Sequence, residues 1–99
     1  MKRTVVRYKV RPEAAAENQQ LIEQVFAELQ TKSPAGVRYV ALKLSDDTFV
    51  HFSMTEDGAP PIPGLDAFRN FQSGIKERCM EPPRQTEVTI VGNYQMLRE

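Results

Sequence analysis

The repeat of apolar residues switches back and forth between two residues and about 3.6 residues along this 99-residue chain, and the order of the switches leaves few folds open. Residues 4–10 alternate, with Val6, Tyr8 and Val10 on one side and Val5, Arg7 and Lys9 on the other, as a half-buried strand does. Pro12 ends that ladder and suits a first helical turn, so a helix is predicted over 13–32, its stripe made by Leu21, Ile22, Val25, Phe26 and Leu29. Ser33-Pro34-Ala35-Gly36 stops it. Residues 37–44 and 48–54 are β-branched and aromatic runs around Ser45-Asp46-Asp47, which reads as an antiparallel hairpin. With a two- or four-residue loop, Leu42 faces His51 while Tyr39, Ala41, Val50, Phe52 and Met54 share the opposite side; a three-residue loop breaks that parity.

Residues 55–64 hold Gly58, Pro60, Pro61, Pro63 and Gly64, too constrained for a regular element, and form a candidate lid. A second helix is predicted over 65–79 from Leu65, Phe68, Phe71, Ile75 and Cys79, with Pro82-Pro83 closing it and a fourth strand over 87–94. The apolar tail Tyr94-Gln95-Met96-Leu97 is expected to pack on something, a partner chain included. The whole chain, 1–99, is read as a single domain.

Two β-α-β units joined by a hairpin close into a four-stranded antiparallel sheet with both helices on one face, an α+β ferredoxin-like plait. The strands carry apolar residues on both faces, and the helices cover one, so a second sheet is expected across the other face, making a homodimer.

Thirteen basic and thirteen acidic residues cancel, which removes the net field that draws a chain to nucleic acid or an anionic membrane. Lys2, Arg3, Arg7, Lys9 and Arg11 read as one polar sheet face. Cys79 is the lone cysteine, so neither an internal disulfide nor a thiolate metal cluster is expected, and a cytoplasmic location fits. No leader or membrane span is expected from the start Met1-Lys2-Arg3.

In element order, in the hairpin of residues 37–54, and in Pro63-Gly64-Leu65-Asp66-Ala67-Phe68-Arg69-Asn70-Phe71 at the entry to the second helix, the chain resembles the dimeric α+β-barrel superfamily over essentially its whole length. Within it, the chain is similar to the antibiotic-biosynthesis-monooxygenase-like domains. That resemblance implies a dimeric α+β barrel and a cofactor-independent monooxygenase-like oxidoreductase acting on a small aromatic or polyketide-like molecule. The haem-degrading and quinone-forming branches use a first-strand asparagine and a tryptophan, and the haem branch a histidine on the second helix. This chain has no Trp, no Asn over 4–10 and no His over 65–79, so no catalytic residue carries over from either branch, and neither haem nor another cofactor is expected.

His51, the single histidine, is the candidate catalytic residue, a general base toward a phenol or enol. Tyr8, Tyr39 and Tyr94 are candidate ligand-binding residues, able to stack and to offer a hydroxyl, and Asn70 is a candidate partner for a ligand oxygen. For His51 and the three tyrosines a core or interface role explains the residue as well, and beside Asn70 it is Phe68 and Phe71 that take the core stripe. Arg38 and Arg69 read as solvated and Cys79 as a buried, inert thiol. The alternative function is a non-catalytic dimeric module that binds a small ligand or a protein, with 55–64 as its contact loop.

Overall fold

The computed structural model describes residues 1–97. Strand β1 (Lys2–Val10) leads through a 3-10 turn, Pro12–Ala14, into helix α1 (Ala15–Lys32), and Pro12 sits where its missing N–H costs nothing. Ser33 ends α1 in the left-handed region at φ 43°, its N–H donating to the Leu29 carbonyl at 2.7 Å. Strands β2 (Val37–Lys43) and β3 (Thr48–Thr55) form the hairpin. A second 3-10 turn, Ile62–Gly64, precedes α2 (Asp66–Gln72), α3 (Ile75–Arg78) and β4 (Cys79–Glu87). The sheet is antiparallel in the order β2-β3-β1-β4, the ferredoxin-like arrangement expected.

The hairpin loop has three residues. The Leu44 N–H donates to the Thr48 carbonyl at 2.8 Å, and Asp47 stands at φ 65°, the left-handed position that closes a three-residue hairpin. The register is therefore Ala41 opposite His51 and Leu42 opposite Val50. This overturns the pairing of Leu42 with His51: the odd loop puts Tyr39, Ala41, Phe49, His51 and Ser53 on one face and Val40, Leu42, Val50 and Phe52 on the other.

The second helix and the last strand also differ from expectation. Gly74, at φ 79°, interrupts the predicted 65–79 helix, so the chain turns early and Cys79 meets Val10 at the end of β1. Strand β4 is therefore Cys79–Glu87 and not 87–94, because Glu87 already pairs with Thr4 and β1 is nearly used up. Pro82-Pro83 lies inside this strand. Two residues there face Tyr8, between the pairs Arg7 with Arg84 and Lys9 with Glu81. Such a bulge on an edge strand is where the ladder needs no N–H from proline. Among the described residues beyond Glu87, the Val88 N–H donates to the Arg3 carbonyl at 3.1 Å and no further strand forms, although 88–91 are β-prone.

Tyr8, Val10, Ile22, Val25, Phe49 and Phe71 form the core between the sheet and the helices. Each such side chain contributes about 1.5–3 kcal/mol by leaving water. Glu28 of α1 fixes the start of α2: its carboxylate accepts the Ala67 N–H at 2.8 Å and pairs with Lys32 at 2.5 Å. The Lys32 hydrogen bond, then the Ala67 N–H, hold the Glu28 carboxyl below its ordinary range. The other sheet face is bare of helices, and Val40 and Leu42 on it are 41% and 54% exposed. Strand β4 does not share that apolar character, since Arg84 and Thr86 are its residues on this side, beside Arg7 and Val5. Met96 and Leu97 border a shallow pocket with Val40, Phe52 and Met54 there, and Val91, Tyr94 and Met96 are open to solvent.

Candidate functional site

Alternation along β1, β2 and β3 aims Tyr8, Tyr39 and His51 at the helices. His51 sits among three rings, with centroids 5.4 Å from Tyr8, 5.7 Å from Tyr39 and 5.4 Å from Phe71. Its Nε2 lies 2.8 Å from the Tyr8 hydroxyl and its Nδ1 2.5 Å from the Tyr39 hydroxyl. Behind Tyr8, the Asn18 Nδ2 donates to the Tyr8 hydroxyl at 2.9 Å, and the Arg78 Nε donates to Asn18 Oδ1 at 3.0 Å. Arg78 also donates to the carbonyls of Ser73 at 3.1 Å and Phe71 at 2.5 Å, and its guanidinium lies over the Phe71 ring at 5.6 Å. Among the described residues this buried cation has only neutral oxygens as acceptors.

Donor counting assigns every proton in the row. Arg78 can only donate, so Asn18 must turn Oδ1 toward it and its NH2 toward Tyr8. The Tyr8 oxygen then accepts, and its own hydrogen has His51 Nε2 as its acceptor. Burial holds His51 neutral by lowering its pKa to about 4, so with Nε2 accepting, the proton is on Nδ1 and donates to Tyr39. Burial pushes both phenols above their ordinary value, and both keep their protons.

A cavity of about 400 Å³ opens on the Tyr39 and His51 end of this row. Thr4, Ser53 and Thr55 of the sheet line it on one side and Ala59, Pro60, Pro61, Ile62 and Pro63 on the other, so the proline segment is one of its walls. The Glu56 N–H, which donates to the Gly36 carbonyl at 2.9 Å, ties that segment down, as does buried Ile62. A wider groove of about 770 Å³ follows the open edge of β2 against α1, lined by Phe26, Tyr39 and Leu42, but His51 has no part in it. Among the described residues no three imidazole, thiol or carboxylate groups converge to hold a metal.

The structure brings together His51, Tyr8 and Tyr39 of the sequence-derived candidates. Tyr39 and His51 line the cavity; Tyr8 backs His51 from beneath and does not line it. Tyr94 is 84% exposed in the stretch after β4, and Asn70 is on the solvent side of α2, so neither reaches the cavity. Arg38 is exposed, and Arg69 is held by Asp66 and the Gly64 carbonyl. Cys79 is buried, which raises its thiol pKa. Sequence reasoning missed Asn18 and Arg78. Asn18 lies four and seven residues before Ile22 and Val25 on the apolar stripe of α1, a position where a fully buried amide needs partners.

No family model matches the chain, and no curated protein does either. Solved structures do. A Mycobacterium tuberculosis protein superposes with a TM-score of 0.71 at 17% identity, covering 92% of this chain and 95% of that one. A candidate antibiotic biosynthesis monooxygenase of Caulobacter crescentus gives 0.71 at 16% identity, over 91% and 89%. Another such candidate, of Nitrosomonas europaea, gives 0.73 at 13% identity, over 93% and 100%. The chain thus shares the α+β fold of these structures, two of which are named as candidate antibiotic biosynthesis monooxygenases. No helix among the described residues is long and apolar enough to cross a membrane.

Proposed function

We propose that the chain is a homodimeric, cofactor-independent monooxygenase-like protein that admits a small aromatic or polyketide-like molecule, bearing a phenol or enol, to the cavity under the proline segment. The observation that carries this reading is the convergence of His51 and Tyr39 on a 400 Å³ cavity, a volume suited to a small ring system. His51 acts through Tyr39, to whose hydroxyl its Nδ1 donates, and the ligand proton leaves to water. A phenol or enol that loses its proton becomes an electron-rich carbon anion that reduces O2 directly and forms a C–O–O bond. Loss of water across the C–H and O–O bonds then leaves a carbonyl, with one oxygen atom in the product and the other in water. Dimerisation covers Val40, Leu42 and Phe52 on the bare sheet face.

One observation favours the second reading, a non-catalytic dimeric module for the same ligand or for a protein: both nitrogens of His51 are already engaged, and at a pKa of about 4 it is a weak base. Oxygen uptake with a panel of quinols and anthrones decides between them, run on the wild type and on folded His51→Ala. Turnover that His51→Ala loses supports the oxygenase; equal turnover removes His51 from the mechanism; binding without turnover leaves the module.

A further inference from the structure

We infer that the Tyr39 hydroxyl is the group that meets the ligand oxygen, and that it is the last donor of a one-way hydrogen-bond row, begun at Arg78, that makes the cavity select the anionic form of a phenol or enol. The inference rests on the cavity being a ligand site and adds what that site prefers.

The row runs Arg78 to Asn18 at 3.0 Å, Asn18 to Tyr8 at 2.9 Å, Tyr8 to His51 at 2.8 Å and His51 to Tyr39 at 2.5 Å. Every donor in it points away from the guanidinium and toward the cavity. Each bond polarises the next in the same sense, so the positive end of the row is delivered to the Tyr39 O–H. That hydrogen has no acceptor among the described residues, and Tyr39 lines the cavity. A hydroxyl already accepting from His51 and still holding its own hydrogen is a donor poised for an oxygen with charge on it.

The rest of the lining agrees. Lys2 is the charged residue among those around the cavity, no carboxylate is among them, and Thr4, Ser53, Thr55 and Gln85 are neutral. At the far end, the acceptors of Arg78 are neutral oxygens, so no carboxylate hydrogen-bonded to it cancels its charge there. Asn18 and Arg78 never touch the ligand in this account; they are positioning residues that fix which way the row points. The low basicity of His51 ceases to be an obstacle, because a site that favours the anion lets the proton leave to water.

Para-nitrophenol tests this, since its phenolate band reports the ionisation of the bound probe. In the wild type the bound probe ionises at a lower pH than free, with phenolate preferred about tenfold over phenol, one pKa unit. Tyr39→Phe abolishes the preference. Asn18→Asp keeps an oxygen on Arg78 but takes the donor from Tyr8, which turns its hydrogen to the new carboxylate and reverses the bonds beyond; the preference falls although the cavity lining is unchanged. A role in shape alone would weaken both probe forms equally and leave the ionisation where it was. A bound pKa equal to or above the free value, or Tyr39→Phe matching the wild type, overturns the inference while leaving the cavity a ligand site. Failure of the wild type to bind any phenol overturns both.

Discussion

Replacing Asn18 by leucine is the sharpest test of the buried row as a structural element. The side chain is 0% exposed and holds two partners at once, so the loss is worked bond by bond. Removing the amide leaves Arg78 Nε without its acceptor, about 1.5–3 kcal/mol for a bond to a charged group, and takes a neutral bond from Tyr8, about 1 kcal/mol. Arg78 keeps its bonds to the Ser73 and Phe71 carbonyls, and leucine fills a similar volume, so the total is about 3 kcal/mol. In a domain whose whole stability is of order 5–15 kcal/mol, that is a large share. It corresponds to a fall in melting temperature of roughly 12–24 °C. Urea unfolding at one fixed protein concentration reads it as a drop in midpoint with unchanged slope. A loss under about 1 kcal/mol would mean that Asn18 is not tying Arg78 to Tyr8, and the proton assignment built on it would fail.

Other expectations follow from single residues. His51 has its pKa lowered to about 4 by burial against an ordinary value of 6.5, so between these values the unfolded chain binds the proton and the folded one does not. Stability therefore falls as pH drops from about 6.5 toward 4, by as much as roughly 3 kcal/mol, and urea midpoints of His51→Gln should lack that fall. Gly36→Ala should cost about 1–2 kcal/mol, because Gly36 has φ 78° and a Cβ there would stand 3.0 Å from Glu56 Oε2; calorimetry checks it. The proposed dimer should be broken by Leu42→Asp on the bare sheet face, light scattering then reading a folded monomer for the variant and twice that mass for the wild type.

The fold was legible because its signals are local. The stripe of α1 and the alternation of β1 each sit within one element, and their order restricted the topology. What escaped depended on facts one residue wide. The hairpin parity turned on Asp47 taking a left-handed turn, and with it whether Tyr39 and His51 share a face. Gly74 broke a helix whose apolar spacing ran straight through it, and the edge position of β4 made room for two prolines that otherwise read as a stop. His51 stood out by being the sole histidine. The partners that fix its protons came from α1 and α3, 33 residues before and 27 after it, a closeness that no spacing rule displays.

Because the chain has one histidine, nitrogen NMR of protein labelled only at histidine observes a single imidazole and reads its protonation directly. The account predicts a neutral ring at pH 7 with the proton on Nδ1, and a switch of that proton to Nε2 in Asn18→Asp. A wild-type ring carrying its proton on Nε2, or charged at neutral pH, would contradict it.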